Sequence, residues 1–426
     1  LDTGEVEAVS AQLNPQRFAG EDIMSRMRYV RRNDDGLREL QSAIVGGVND
    51  AIDEVTSEAR IDPADIYEAM LVGNTAMHHL FLGYDPNAVA GSPYIPARHK
   101  AVTVKAREVG LEINPSGYAY WLPVSGGWVG PDKVAVLLAS GHYAEAPMTV
   151  CIDIGTNGEI SVGNAEQTWT TSAPAGPALE GAELTHGVRA QAGAIDHVSV
   201  DPDDLEPHVE TIDDAAPIGL CGSGVIDALA QLFLVGIVDR RGTFALDDDE
   251  HPRLRTNDDG VREFVLVEAD ASGTDRPVVI TQNDIRDVQM AKAAIQAGTL
   301  VLMETLEVES VDRLVIAGAF GNYIDPASAM LIGLYPDLPL ESVTSLGNGA
   351  GVGAQLALLD SEARAEAARI VDQVDYFEIA GTDVFQEHFL QSMYLPHQVF
   401  ERYPRVKARV EAVRSPIDVE QPLGDG

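Results

Sequence analysis

Asp153-Ile154-Gly155-Thr156-Asn157-Gly158-Glu159 places one carboxylate and a run of small residues between two apolar, β-rich stretches, Met148–Ile154 and Glu159–Val162. Two strands joined by a Gly-Thr-Asn-Gly turn make a hairpin whose tip exposes backbone N–H groups. Glycine lets such a tip approach a phosphate closely, and the amides bind the anion. Asp153 would hold Mg²⁺ directly or through water, as hard oxygen ligands do in nucleotide sites. The same string also fits an Asn-Gly hairpin with no ligand.

Other glycine-rich stretches follow expected strands or open expected helices. Gly73-Asn74-Thr75 ends one strand and begins a helix, for which Thr75 is a good N-cap. Gly222-Ser223-Gly224 at a helix start could hold an anion through its amides, or could simply cap and pack that helix. Ser172 to Pro177, with Gly176 and then Glu180, is a small-residue loop beside the hairpin, either a linker or a sensing segment. Gly347, Asn348 and Gly349 open a Gly-x-Gly-x-Gly-x-Gly run. Its spacing does not fit a dinucleotide fingerprint, and no ribose-binding acid follows about 20 residues on. His78 and His79 are adjacent, so on a helix they face different directions and make a poor metal pair. Arg189 could meet a phosphate, but an internal acid partner is expected. No Gly-x-Ser-x-Gly and no Ser/His/Asp arrangement is present, so hydrolysis by a side-chain nucleophile is not indicated.

Taken in order, Asn14-Pro15-Gln16, Gly20-Glu21-Asp22-Ile23-Met24-Ser25-Arg26, Val72 to Leu80, Ser172 to Pro177, Glu180-Gly181-Ala182, Gly187 to Ile195, Gly219 to Gly224, Ala317 to Asn322 and Leu346 to Gly351 resemble the reductive activators of corrinoid proteins. That resemblance covers nearly the whole chain. It implies an α/β, actin-like and sugar-kinase-like (ASKHA) fold, with two ribonuclease-H-like subdomains flanking a nucleotide cleft. Residues 1–146 would form the first subdomain and 147–426 the second, with an acidic insertion at about 242–276 and an acidic, frayed tail. A first phosphate hairpin of Asp-x-Gly-Thr-Thr type would precede Leu1, making Leu1 to Ser10 the second strand of the first subdomain.

The resemblance also implies ATP and Mg²⁺ as ligands. Asp153, Gly155, Thr156, Asn157 and Gly158 would hold phosphate and metal, and Gly318, Ala319, Phe320, Gly321 and Asn322 the adenosine. On that assignment Gly318→Val should weaken ATP far more than inorganic triphosphate. The implied activity is ATP-dependent re-reduction of Co(II) corrinoid proteins of methyltransferase systems. Its electrons would come from a 2Fe-2S ferredoxin domain, in cis in a longer parent or in trans. A corrinoid protein is the implied partner, and a homodimer is left open. A small-molecule kinase of the same fold is the alternative, with Asp22 or Asp132 as base, and a nucleotide-switched scaffold is a third.

The 426 residues carry 67 acids against 29 Lys and Arg, of which only 5 are Lys, for a net charge of −38. That excludes a nucleic-acid face, which needs basic residues. A dense acidic surface suits a high-salt cytoplasm, where screening acts within about 3 Å at 1 M salt. A halophilic source is therefore expected, with destabilisation at low ionic strength through self-repulsion. The sequence has no apolar run near 18 residues and no signal-like start, so a cytoplasmic protein without a membrane anchor is expected. Two cysteines, Cys151 and Cys221, fall short of the four thiolates of an all-cysteine cluster, and are expected to be buried and inert.

Apolar periodicity predicts helices over Ile23–Arg31, Leu37–Ala59, Gly222–Val235, Thr281–Leu306 and Gly351–Leu359, and further helices after Glu362 and from Thr382. Strands are expected at residues 3–12 (an edge strand), Ala69–Val72, Tyr118–Val124, 149–172 (three strands), Glu263–Val267, Asp312–Ala317, Val343–Leu346 and Tyr376–Ile379. Residues 83–101 read as a long loop.

Overall fold

The computed structural model describes residues 4–20, 22–155, 157–181, 183–248, 250–318, 321 and 323–414. Thr156, Ala319, Phe320, Asn322 and most of the acidic tail lie outside the described residues. The chain divides into two compact units, one of residues 1–145, 165–170 and 348–376, the other of 146–164, 171–347 and 377–426.

The first unit is built on a three-stranded sheet. Glu68–Leu71 runs parallel to Tyr118–Trp121, which pairs antiparallel with Val102–Lys105, a strand the sequence reading missed. The helix Gly36–Ala59 lays Ile44, Val48 and Ile52 against a core of Phe81, Val102, Ala119 and Trp121. A second core joins Leu122, Val134 and Leu137 to Ala357, Ile370 and Val374. Here Gly353 is needed for close approach, because a Cβ would stand 2.0 Å from the Ala135 carbonyl oxygen. Val374–Tyr376, slightly earlier than expected, pairs parallel with Thr168–Thr170.

Residues 4–14 form no strand. Val6 and Val9 are 59% and 75% exposed there, and no described ladder pairs with them. Apolar alternation alone does not make a strand when no sheet edge is available to it.

Arg364 locks this unit. Its Nη1 and Nη2 donate to the two Glu68 oxygens at 2.6 and 2.8 Å, and its guanidinium also donates to the Ala357 and Leu358 carbonyls. Because both partners are largely shielded, Arg364→Met should cost about 2 kcal/mol in chemical denaturation. A loss under about 0.5 kcal/mol would mean the pair behaves as a solvated surface bridge.

In the second unit, Thr149–Ile154, Arg313–Ala317 and Val343–Ser345 run parallel, and Thr149–Ile154 continues antiparallel into Gly158–Gly163. Val150, Cys151, Ile152, Leu314 and Ile316 are buried, the near-continuous apolar pattern of a sheet covered on both faces. Both cysteines are buried and reduced. Gln282–Thr305 begins with a complete capping box between Thr281 and Asp284 and buries Ile285, Val288, Ala291, Ile295 and Leu302, as its periodicity predicts.

Two small sheets were only partly expected. Ala194–Val200 pairs with Pro207–Thr211 and Gly219–Leu220, none of which the sequence reading named. The acidic insertion holds two strands rather than one, Leu254–Thr256 and Arg262–Val267, and the second pairs with Val278–Thr281. The C-terminal region carries a helix, Pro404–Val413, where only fraying was expected; Val406 and Val410 are its buried stripe. Among the described residues no helix is long and apolar enough to cross a membrane.

Candidate functional site

The carboxyl ends of the three parallel strands of the second unit bring together residues far apart in the chain. Asp153 lies in register with Ala317 on one side and with Glu159 on the other. The tip between them is tight, with Gly155 N donating to Asn157 O at 3.0 Å. Gly318, at φ +93°, continues the neighbouring strand, and its N–H donates to Gly347 O at 2.9 Å. Asp153, Gly155, Asn157, Gly318 and Gly347 therefore share one edge, the edge at which open α/β sheets bind ligands.

Space has been kept at this edge. A Cβ on Gly318 would stand 2.6 Å from Asp153 Oδ1 and 2.8 Å from Ile154 O, so only glycine lets that carboxylate sit there. At Gly155 the nearest atom to an added Cβ is Asn157 O at 3.7 Å. A Cβ on Gly176, in the loop after Thr168–Ala173, would meet nothing within 4 Å. This changes what Gly318→Val can reveal. The new side chain would strike Asp153 itself, so ATP and triphosphate should both lose affinity, and the expected selective loss of ATP does not follow.

Glu159 is the functional candidate that sequence reading missed. Directly opposed residues on antiparallel strands share a face with Cβ atoms about 5 Å apart, so Asp153 and Glu159 form a carboxylate pair. Counting outward equally from the turn would have found it. Ser172 Oγ donates to Glu159 Oε1 at 3.3 Å, which ties the small-residue loop to the pair. Two neighbouring carboxylates repel a bare phosphate but accept a divalent cation between themselves and it. Among the described residues no three His, Cys, Asp or Glu side chains form a metal-binding group, so such a cation would be shared with its ligand.

Several expected site residues have other work. Gly158 is buried, and a Cβ there would lie 2.8 Å from Ile295 Cγ1; at Gly321 it would lie 2.4 Å from Ile316 Cγ2. Both are packing glycines. Gly222, Ser223 and Gly224 are buried at a helix start, where a Cβ on Gly224 would meet Ile195 O at 2.1 Å, which favours packing over anion binding. Glu180 is exposed at the end of the 3₁₀ turn Ala178–Glu180. Arg189 is exposed and has no acid partner among the described residues, contrary to expectation.

Gly73, Asn74 and Thr75 belong to the first unit, as do Asn348 and Gly349. The helix Thr75–Leu82 is capped by Asn74, not Thr75: Asn74 Oδ1 accepts from Met77 N at 2.9 Å, and Thr75 Oγ1 donates to Gly126 O. Asn348 likewise caps Gly349–Leu359. Asp22 caps Ile23–Arg32, while Asp132 stands in the first turn of Pro131–Ser140, where its Oδ1 accepts from Lys133 N at 2.8 Å. His78 and His79 are packed rather than solvated. His79 joins Thr75 O to Ala97 N, and His78 stands edge-on to Trp121.

The model of the RACo C-terminal ASKHA domain matches residues 147–407, and that of the RACo middle region matches residues 1–145. The chain belongs to the RACo family. It is 39% identical over 389 residues to the corrinoid activation enzyme RamQ of Eubacterium limosum, covering 90% of this chain and 65% of that protein. It is 23% identical over 286 residues to the [Co(II) methylated amine-specific corrinoid protein] reductase of Methanosarcina barkeri, covering 62% of this chain and 48% of that one. A solved reductive activator for a corrinoid, iron-sulfur protein superposes with a TM-score of 0.85 at 37% identity, over 95% of this chain and 64% of its own. The chain thus spans less than two thirds of these relatives, and the α/β ASKHA architecture of the family is its own.

Proposed function

We propose that the strand-end edge of the second unit binds Mg-ATP, and that the chain is the nucleotide-driven part of an activator returning Co(II) corrinoid proteins to Co(I). The observation that carries this is the convergence of Asp153, Glu159, Gly318 and Gly347 on one edge, in a chain whose relatives are named for corrinoid activation. The hairpin amides hold phosphate, and Mg²⁺ supplies the positive charge that lets phosphate approach two carboxylates. Nucleotide then favours whichever conformation binds it better, and only that difference can do work on a partner.

The step itself is a one-electron reduction, Co(II) plus one electron giving Co(I). The two cysteines of this sequence, both buried, cannot ligate the donor cluster, so the electron comes from an iron–sulfur domain in cis or in trans. The acidic, lysine-poor surface supports a cytoplasmic protein of a salt-rich cell. Mixing the chain with a Co(II) corrinoid protein and a reduced ferredoxin, and following cobalt by visible spectroscopy, tests the reading. Co(I) should accumulate only with Mg-ATP. Equal rates without nucleotide, or ATP turnover driven instead by a metabolite hydroxyl, would favour the kinase alternative.

A further inference from the structure

The two carboxylates of the strand-end site lean apart. An added Cβ on Gly318 would stand 2.6 Å from Asp153 Oδ1, so the Asp153 carboxylate reaches toward the neighbouring strand Arg313–Ala317, which Gly318 continues. Glu159 Oε1 accepts from Ser172 Oγ at 3.3 Å, and Ser172 belongs to Thr168–Ala173, on the other side of the hairpin. Asp153 and Glu159 face one another across the ladder, and each side chain is drawn away from the other. Both residues are half-buried, so neither is shut off from solvent.

That divergence divides the chemistry. A magnesium ion on a nucleotide keeps several waters and takes only one or two carboxylates besides the phosphates. Asp153, at the foot of the turn and beside Gly318, meets that need by itself. Glu159 is then left with a different task. A carboxylate offers about four acceptor positions, and the Ser172 bond occupies one of them. Oriented by a neutral hydroxyl rather than by a cation, it keeps the basicity that a metal-bound carboxylate loses.

We propose that Glu159 is the general base of ATP hydrolysis at this edge and that Ser172 is its positioning residue, an assignment that rests on Mg-ATP binding there. Glu159 accepts a proton from a water molecule as the water oxygen attacks the γ-phosphorus. The bond from that phosphorus to the bridging oxygen breaks, ADP leaves with the electron pair, and inorganic phosphate forms. Asp153 serves binding and Glu159 serves turnover, so the two carboxylates separate in what their removal costs.

Phosphate release and calorimetric Mg-ATP titration, both run on the full chain and its variants, test this. Glu159→Gln keeps the shape and removes the base, so kcat should fall at least about a hundredfold while the Kd for Mg-ATP moves by less than about threefold. Ser172→Ala should lower kcat about fivefold at unchanged KM, and Ser172→Thr, which restores the hydroxyl, should recover it. Unchanged turnover in Glu159→Gln, or an affinity that falls as far as in Asp153→Ala, would overturn the role of Glu159 and leave the nucleotide site standing. So would a wild-type chain that binds Mg-ATP without releasing phosphate. A wild-type chain with no Mg-ATP affinity would overturn the nucleotide reading itself, and this assignment with it.

Discussion

Asp153→Ala is expected to lower Mg-ATP affinity by about two orders of magnitude, roughly 2.7 kcal/mol, while the folded state changes by less than about 1 kcal/mol. The asymmetry follows from where the residue sits. Asp153 is only half-buried near the end of its strand, and its ladder partners, Ala317 and Glu159, are held by backbone pairing that Ala preserves. Removing one of two facing carboxylates also relieves repulsion with Glu159. What Ala cannot replace is the oxygen that a divalent cation needs. Asp153→Asn, which keeps the size and loses the charge, should fall nearly as far. Equal affinity of wild type and Asp153→Ala, measured by calorimetry at saturating Mg²⁺, would move the metal away from this edge.

Acid should unfold this protein earlier than its carboxylates alone would require. Burial, with a contribution from His79, drives His78 down to about 3; burial, with Lys133 nearby, drives His142 to about 3; and burial, with Arg402 and Lys292, drives His397 to about 4. All three are neutral in the folded state and titrate near 6.5 when unfolded. The unfolded chain therefore binds more protons between those values, so the stability they provide is complete above about pH 6.5 and is lost as pH falls through that window. Each should withdraw about 2 kcal/mol between pH 7.5 and pH 5.

Asp227 and Asp337, raised by burial, act with the opposite sign in the lower part of the range and soften the fall. The first unit carries two of the three histidines, so its unfolding transition should shift most. Urea titrations of wild type and His142→Gln at both pH values check this. The variant should lose about one proton of pH dependence, and an unchanged slope would mean His142 is protonated in the fold.

The helices and the central strands were legible because their signals are local. Thr281 with Asp284 announces a capped helix, and Thr149–Ile154 followed by a glycine-bounded turn announces a hairpin. What escaped depends on partners distant in sequence. Residues 4–14 alternate like a strand but find no described sheet edge, while Val102–Lys105 is a strand because Tyr118–Trp121 offers one. Asn74 and Thr75 are both good caps by type, and only the bond to Gly126 O takes Thr75 out of contention. At the candidate site, Asp153 was readable from its turn. The roles of Gly158, Gly224 and Gly321 were not, because glycine looks the same whether it clears space for a ligand or for Ile295, Ile195 or Ile316.

Amide hydrogen exchange with and without Mg-ATP addresses the central claim most directly, since it reads the backbone groups said to hold the nucleotide. Protection should appear over residues 153–159 and at Gly318 and Gly347, and should be absent from residues 334–342 at the opposite edge. Protection confined to other segments, with the Asp153 hairpin exchanging at its nucleotide-free rate, would contradict the account.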